Sequence, residues 1–310
     1  MVATLSSVSS QGLNPGAHAA LSARMRRLQH SDVIFRLLTQ VAAIIVFLMF
    51  VGIFWALIRG AWPAVKTFGF SFVITQAWNP VKENFGALAP MYGTLVTSFL
   101  AMLISVPVGI GIAIFLTELC PRALRRAVGV AVELLAGIPS IIYGIWGLYV
   151  LAPFLQQKLQ PFVIDSFVDT PVLSGLFAGP PYGIGIFTAS LILAIMTLPF
   201  IAAITRDVFE TVPPVLKEAA YGLGSTTSEV LWNVVLPYAR GGVTGGVMLA
   251  LGRALGETMA VTFVIGNSHR ISASLFAPGT TISSAIAKDR KSTRLNSSHL
   301  GISYAVFCLK

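Results

Sequence analysis

The sequence predicts an all-α protein that crosses a membrane five times. Three observations predict it. Hydrophobic residues make up 55% of the 310-residue chain and charged residues only 11%, which is too apolar for a soluble domain. Five runs come near the roughly 20 residues that a helix needs to cross hydrocarbon. The charges gather beside these runs, not on a basic face interleaved with aromatics, so the net charge of +9 does not indicate nucleic acid. Cys120 and Cys308 imply no disulfide framework. Neither they nor the histidines show a metal-ligand spacing. No catalytic residue and no metal site is expected.

Residues 1–30 are rich in Ser, Ala and Gly and end in SARMRRLQH. They hold no apolar run with a cleavage site and read as a disordered cytoplasmic tail. Residues 31–287 form the transmembrane domain. Its first span, 33–58, has the core VAAIIVFLMFVGIFWALI. Trp55 and Trp62 mark the far interface. The second span, 88–116, is interrupted by Pro107, whose freed carbonyl neighbouring helices can satisfy. The turn TELCPRALRR follows.

The third span, 127–151, contains Glu133 and the break GIPSIIYGIWG. Glu133 lies near a span end, where it can snorkel, pair with an arginine or serve transport. The Gly- and Pro-rich stretch 138–147 either lines a pore or makes a close helix contact through small residues. The fourth span, 183–205, carries Pro199. A polar segment, 206–240, leads to the fifth span, 241–266. Arg24, Arg26, Arg27, Arg36, Arg122, Arg125, Arg126, Arg206, Lys217 and Arg240 flank one side of this topology. They outnumber Arg59, Lys66, Lys82, Lys158 and Arg270 on the other. The bias places the N-terminus and the 206–240 segment in the cytoplasm.

Within 206–240, Lys217 to Tyr221 can form a helix ending at Gly222 or Gly224, because glycine tolerates a left-handed cap. Ser225 to Thr227 offer N-cap hydroxyls for a second helix, Ser228 to Val235, which Pro237 stops. In the fifth span, Arg253 and Glu257 are four residues apart, so they share a helix face at about 6 Å along the axis. Each charge costs about 2.5–3.5 kcal/mol at mid-membrane. Such a pair persists if it neutralises itself as a packing salt bridge, faces water or works on a ligand. Gly242 and Gly246 lie on one face and can press on a neighbour, turning Arg253 toward a shared cavity. A guanidinium suits an oxyanion, being always charged and fork-shaped.

Glu218, Ala219 and Ala220, then Gly224, then Val234, Leu236 and Pro237, resemble the ATPase-coupling loop of ABC importer permeases. The runs GRALGETMAVTFVIGN, YGTLVTSF, VELLAGIPSIIYG and AIMTLPFIAA resemble the PstC-type permeases of phosphate ABC importers. These sit within the binding-protein-dependent transport system inner membrane component family. The likeness covers 28–287. It implies import of inorganic phosphate past Arg253 and Glu257, driven by ATP and Mg held on other subunits, with no cofactor on this chain. It also implies a multi-pass protein of the bacterial inner membrane. The implied partners are a second, PstA-type permease, two PstB-type ATP-binding subunits and a periplasmic phosphate-binding protein.

No G-x-x-x-x-G-K-[ST] run occurs, so the chain is not expected to bind the nucleotide itself or to be an enzyme. The alternatives are a permease for sulfate or molybdate, an ATP-independent anion transporter, and a non-transporting sensor partner. The coupling loop argues against an ATP-independent protein. The likeness stops near Ala287, where the family has a sixth span. Residues 288–310, KDRKSTRLNSSHLGISYAVFCLK, are too short of apolar residues to cross and read as foreign sequence.

Overall fold

A computed structural model describes residues 15–79, 84–167, 175–177 and 179–295. Among them the chain is helical apart from its connections and one antiparallel strand pair, β1 (Trp78–Asn79) with β2 (Asn84–Phe85). It divides into two compact units, residues 1–60 and 61–310.

The described part of the first unit is a single helix. α1 runs Pro15–Phe68 and continues into the second unit. It begins well before the first span, where the sequence predicts a disordered tail. Pro15 at its start and the run of Ala, Leu, Arg and Met behind it favour the first turns. Residues 1–14 lie outside the described residues. The apolar residues of the span lie all around the helix, as lipid on every side would require.

In the second unit, α2 (Ser71–Ile74) precedes α3 (Leu88–Ile114), which ends in a π turn, Phe115–Leu119. α4 is Arg122–Ala136 and α5 is Ser140–Trp146. After a π turn, the short α6 (Ala152–Phe154) and a second π turn lead to α7 (Gln160–Phe167). α8 (Ile186–Glu210) and α9 (Pro214–Gly222) follow. α10 (Thr227–Val230), a π turn at Leu231–Val235 and α11 (Leu236–Leu255) form one unbroken rod. α12 is Met259–Val264 and α13 is Ile282–Leu295.

Among the described residues, four helical stretches are long and apolar enough to cross a membrane: Asp32–Phe68, Leu88–Leu119, Ile186–Glu210 and Thr227–Leu255. The third expected span is instead bent by 86° between Ala123–Ala136 and Ser140–Ser166. Pro139 cannot extend α4, since the residue before a proline avoids the helical region. Tyr143 Oη donates to the Leu135 carbonyl across the bend, at 2.9 Å.

The core is the packing of α3 on α8. Ala101, Ala113, Ala194 and Ala202 are buried there, so the backbones approach closely. A Cβ on Gly109 would lie 2.8 Å from Ile201. Several buried hydroxyls are satisfied within their own helices, as with Thr97 on the Gly93 carbonyl and Thr197 on that of Leu193. α5 packs on α12, and here the stretch 138–147 makes the close contact. A Cβ on Gly144 would fall 2.9 Å from the Ala260 Cα, and one on Gly147, just past α5, would run into Ile192 of α8.

The segment after α12 folds back over the bundle. Gly279 donates to the Ile265 carbonyl and Ser268 to that of Gly279, each at 2.9 Å. His269 stacks flat on Trp78 with ring centroids 4.4 Å apart. At Gly93 a Cβ would stand 1.9 Å from the Thr280 carbonyl oxygen, so only glycine fits. Cys120 is buried and free. Cys308 lies outside the described residues. So does 296–310 of the stretch that reads as foreign, while α13 runs through its first eight residues, 288–295.

Candidate functional site

Two polar regions interrupt this apolar protein. The first is the knob formed by α9 and α10. α9 starts at Pro213–Pro214, three residues before the predicted helix; proline at the first position loses no hydrogen bond and presets φ. It ends at Gly222, and Gly224 takes φ +87°, the left-handed cap expected of it. Ser225 N–H donates back to the Ala220 carbonyl at 3.2 Å, closing the turn. Thr226 is the N-cap of α10. Its hydroxyl accepts from the Glu229 N–H, and the Glu229 carboxylate accepts from the Thr226 N–H, a reciprocal capping box.

Pro237 does not stop the second helix, which runs on through α11. The π turn explains why. The Leu236 N–H bonds to the Leu231 carbonyl, five residues back, before the ladder returns to four-residue spacing. A residue without an N–H sits at that change of register at little cost.

The knob is rooted in a cluster of Ala113, Phe209, Val212, Val230, Val235, Ala239 and Val243. Its outer side is apolar and open: Val215, Leu216 and Trp232 are exposed, and Leu223 is 88% exposed. Glu218 and Ala219 are exposed beside them, Ala220 packs toward the cluster, Leu236 is half-buried and Pro237 is exposed. An exposed apolar knob rimmed by charge is a docking surface in form.

The second region is the end of α11. The expected Arg253–Glu257 pair on one helix face does not form. α11 stops at Leu255, and the Gly256 and Glu257 N–H groups close its last turn. Gly256 weakens the helix, and Glu257 serves a different end: its Oε1 accepts from the Ala260 N–H at 3.2 Å, capping α12. The predicted fifth span is therefore α11 and α12 with a break at 256–258. Gly242 and Gly246 do face a neighbour, since a Cβ on either would meet Val208 or Ile204 of α8 at 2.6 and 2.7 Å.

Arg253 is exposed, in the last turn of α11. Its Cζ lies 6.0 Å from the centre of the Phe200 ring on α8. Tyr143 on α5 packs against the cluster of Ala101, Leu193, Ala194, Met196 and the neighbouring Ala254. The site thus draws on α5, α8 and α11. Among the described residues Arg253 makes no ion pair; those present are Arg206–Glu133, Arg206–Asp207 and Lys217–Glu118. Glu133 accordingly pairs with an arginine. Phe200 and Tyr143 stand inside the runs AIMTLPFIAA and VELLAGIPSIIYG, but spacing within a single run does not bring them to Arg253.

The chain matches the family described as binding-protein-dependent transport system inner membrane component over residues 105–287. It is 65% identical over 275 residues to the phosphate transport system permease protein PstC of Mesorhizobium japonicum, covering 89% of this chain and 84% of that one. It is 58% identical over 269 residues to the protein of the same name from Pasteurella multocida, covering 86% and 84%. A solved structure of the MetNI methionine ABC transporter in inward-facing form aligns at 19% identity with a TM-score of 0.46, covering 72% of this chain and 85% of that one. The polytopic helical chain built around these two regions belongs to the binding-protein-dependent transport system inner membrane component family.

Proposed function

We propose that the chain is the membrane-spanning permease subunit of an ATP-driven importer of inorganic phosphate. One observation carries this reading. In a chain whose relatives are named for phosphate transport, a single rod starts at an exposed apolar knob and ends at an unpaired arginine. A guanidinium without a carboxylate partner is free to take an oxyanion, and a charge kept within a span without a partner is a functional-site hypothesis by default. Arg253 is the phosphate-contacting group. Glu257 holds the α11–α12 break open beside it.

The knob, with Glu218, Ala219, Ala220, Gly224, Leu236 and Pro237, docks an ATP-hydrolysing subunit on the cytoplasmic side. ATP and Mg are bound there and not on this chain. The N-terminus lies on the same side, as the arginines around it favour. A second permease completes the pore, two ATP-binding subunits drive it, and a periplasmic phosphate-binding protein delivers the anion in the bacterial inner membrane.

The test is uptake of radiolabelled phosphate, sulfate and molybdate by cells that lack their own permease subunit and express this chain with its partners. ATP-dependent phosphate uptake that needs the binding protein is expected. Uptake of sulfate or molybdate in its place, or uptake that survives ATP depletion, would sink the reading.

A further inference from the structure

Three polar links form a ring at the end of the bundle that carries α9. Lys217 Nζ on α9 bonds Glu118 Oε1 in the π turn after α3, at 2.5 Å. Arg125 Nη2 on α4 donates to the Thr117 carbonyl in that same turn, at 2.6 Å. Arg206 Nη2 on α8 bonds Glu133 Oε1 on α4, at 2.7 Å. The turn from α8 to α9, residues 211–213, closes the circuit covalently. Room is reserved for one link, since a Cβ on Gly129 would lie 2.9 Å from Arg206 Nη1.

The links differ in weight. Arg206 divides itself between Glu133 and Asp207, whose side chains are 51% and 64% exposed, so solvent screens both pairs. The Glu118 and Lys217 side chains are only 11% and 21% exposed. Removing either partner there leaves a largely buried charge behind. The anchorage of α9 makes this pair decisive. None of the described residues of α9 is buried, and Val215, Leu216 and Tyr221 face outward. Ala220 alone leans on the cluster beneath. A push on α9 therefore reaches α3 through Lys217.

We propose that Lys217–Glu118 is the strut that couples α9 to the rest of the bundle. Movement of the knob passes through it to the end of α3. From there it passes through Arg125 to α4, which bends by 86° into α5, the helix whose Tyr143 packs on the cluster that holds Ala254, next to Arg253. The pair positions other elements and touches no anion. The proposal rests on the transport reading above.

The experiment uses the assembled complex in vesicles loaded with the phosphate-binding protein. It measures radiolabelled phosphate moved per ATP hydrolysed, for the unmutated chain, K217M, E118Q and the exchange E118K/K217E. Recovery of the ATP-binding subunit on purification is measured for each. K217M and E118Q are expected to lower the ratio about tenfold, within the usual range of a coupling between linked sites, with the complex still assembled. The exchange is expected to restore most of it. An unchanged ratio in the single variants would overturn the proposal. So would an exchange as uncoupled as the singles, or loss of the ATP-binding subunit in both singles, which would make the pair an assembly contact. The unmutated chain tests the underlying reading separately: if it assembles, hydrolyses ATP and moves no phosphate, both fall.

Discussion

The knob and the Arg253 site are the two polar regions of an apolar protein, and they handle charge in opposite ways. At the knob end, Glu118, Glu133, Arg206 and Lys217 all have partners and Phe209, Val230 and Val235 are sealed beneath them. At the other end, Arg253 faces a ring and no carboxylate, while Glu257 has turned to a backbone N–H. A region whose charges bridge one helix to another resists deformation and passes force on. A region with a charge left over has capacity to bind. Mutations should therefore fail differently at the two ends.

The largest effect is expected beneath the knob. F209A removes a fully buried ring from the cluster and should cost about 3 kcal/mol of stability, as such cavities do. A lowered melting temperature of the detergent-solubilised chain checks it, and a normal melt with lost uptake would erase the contrast between the ends. Next in size, R253A should leave the melt in place and lower phosphate uptake about a hundredfold, the scale of a lost charge-assisted contact. E257Q should lower it far less. The double variant should be additive, since the two side chains share no bond. Strong coupling in that cycle would mean the carboxylate returns to the arginine during transport.

The smallest effect lies outside both regions. Burial, and then the Lys288 charge, pull His269 below its ordinary value near 6.5. The folded chain thus favours the neutral ring stacked on Trp78. With the folded value depressed, this contribution is fully present above about pH 6.5 and is lost as pH falls through the lowered value. Melts from pH 7.5 to 5 should show a small acid loss that H269F flattens.

Much of this was legible in the sequence, and the failures have physical causes. The spans follow from apolar length. Gly224 and Thr226 follow from local chemistry, because a left-handed turn and a capping hydroxyl involve only neighbouring residues. Pro237 misleads because proline's effect depends on the hydrogen-bond register it meets, and a π turn is not written in residue types. Glu257 misleads because four-residue spacing assumes an unbroken helix, while the helix ends at Leu255 with Gly256 as its cap. Lys217 and Glu118 stand 99 residues apart. Such a pair exists only once α3 and α9 are placed.

The unbroken rod from Thr227 to Leu255 has a consequence in simple mechanics. Its 29 residues make a lever about 43 Å long at 1.5 Å per residue. A tilt of only about 5° at the capping box swings the far end by about 4 Å, more than the reach of a hydrogen bond. Arg253 rides in that last turn, so a small rotation at one end of the rod is enough to carry its guanidinium through that distance at the other.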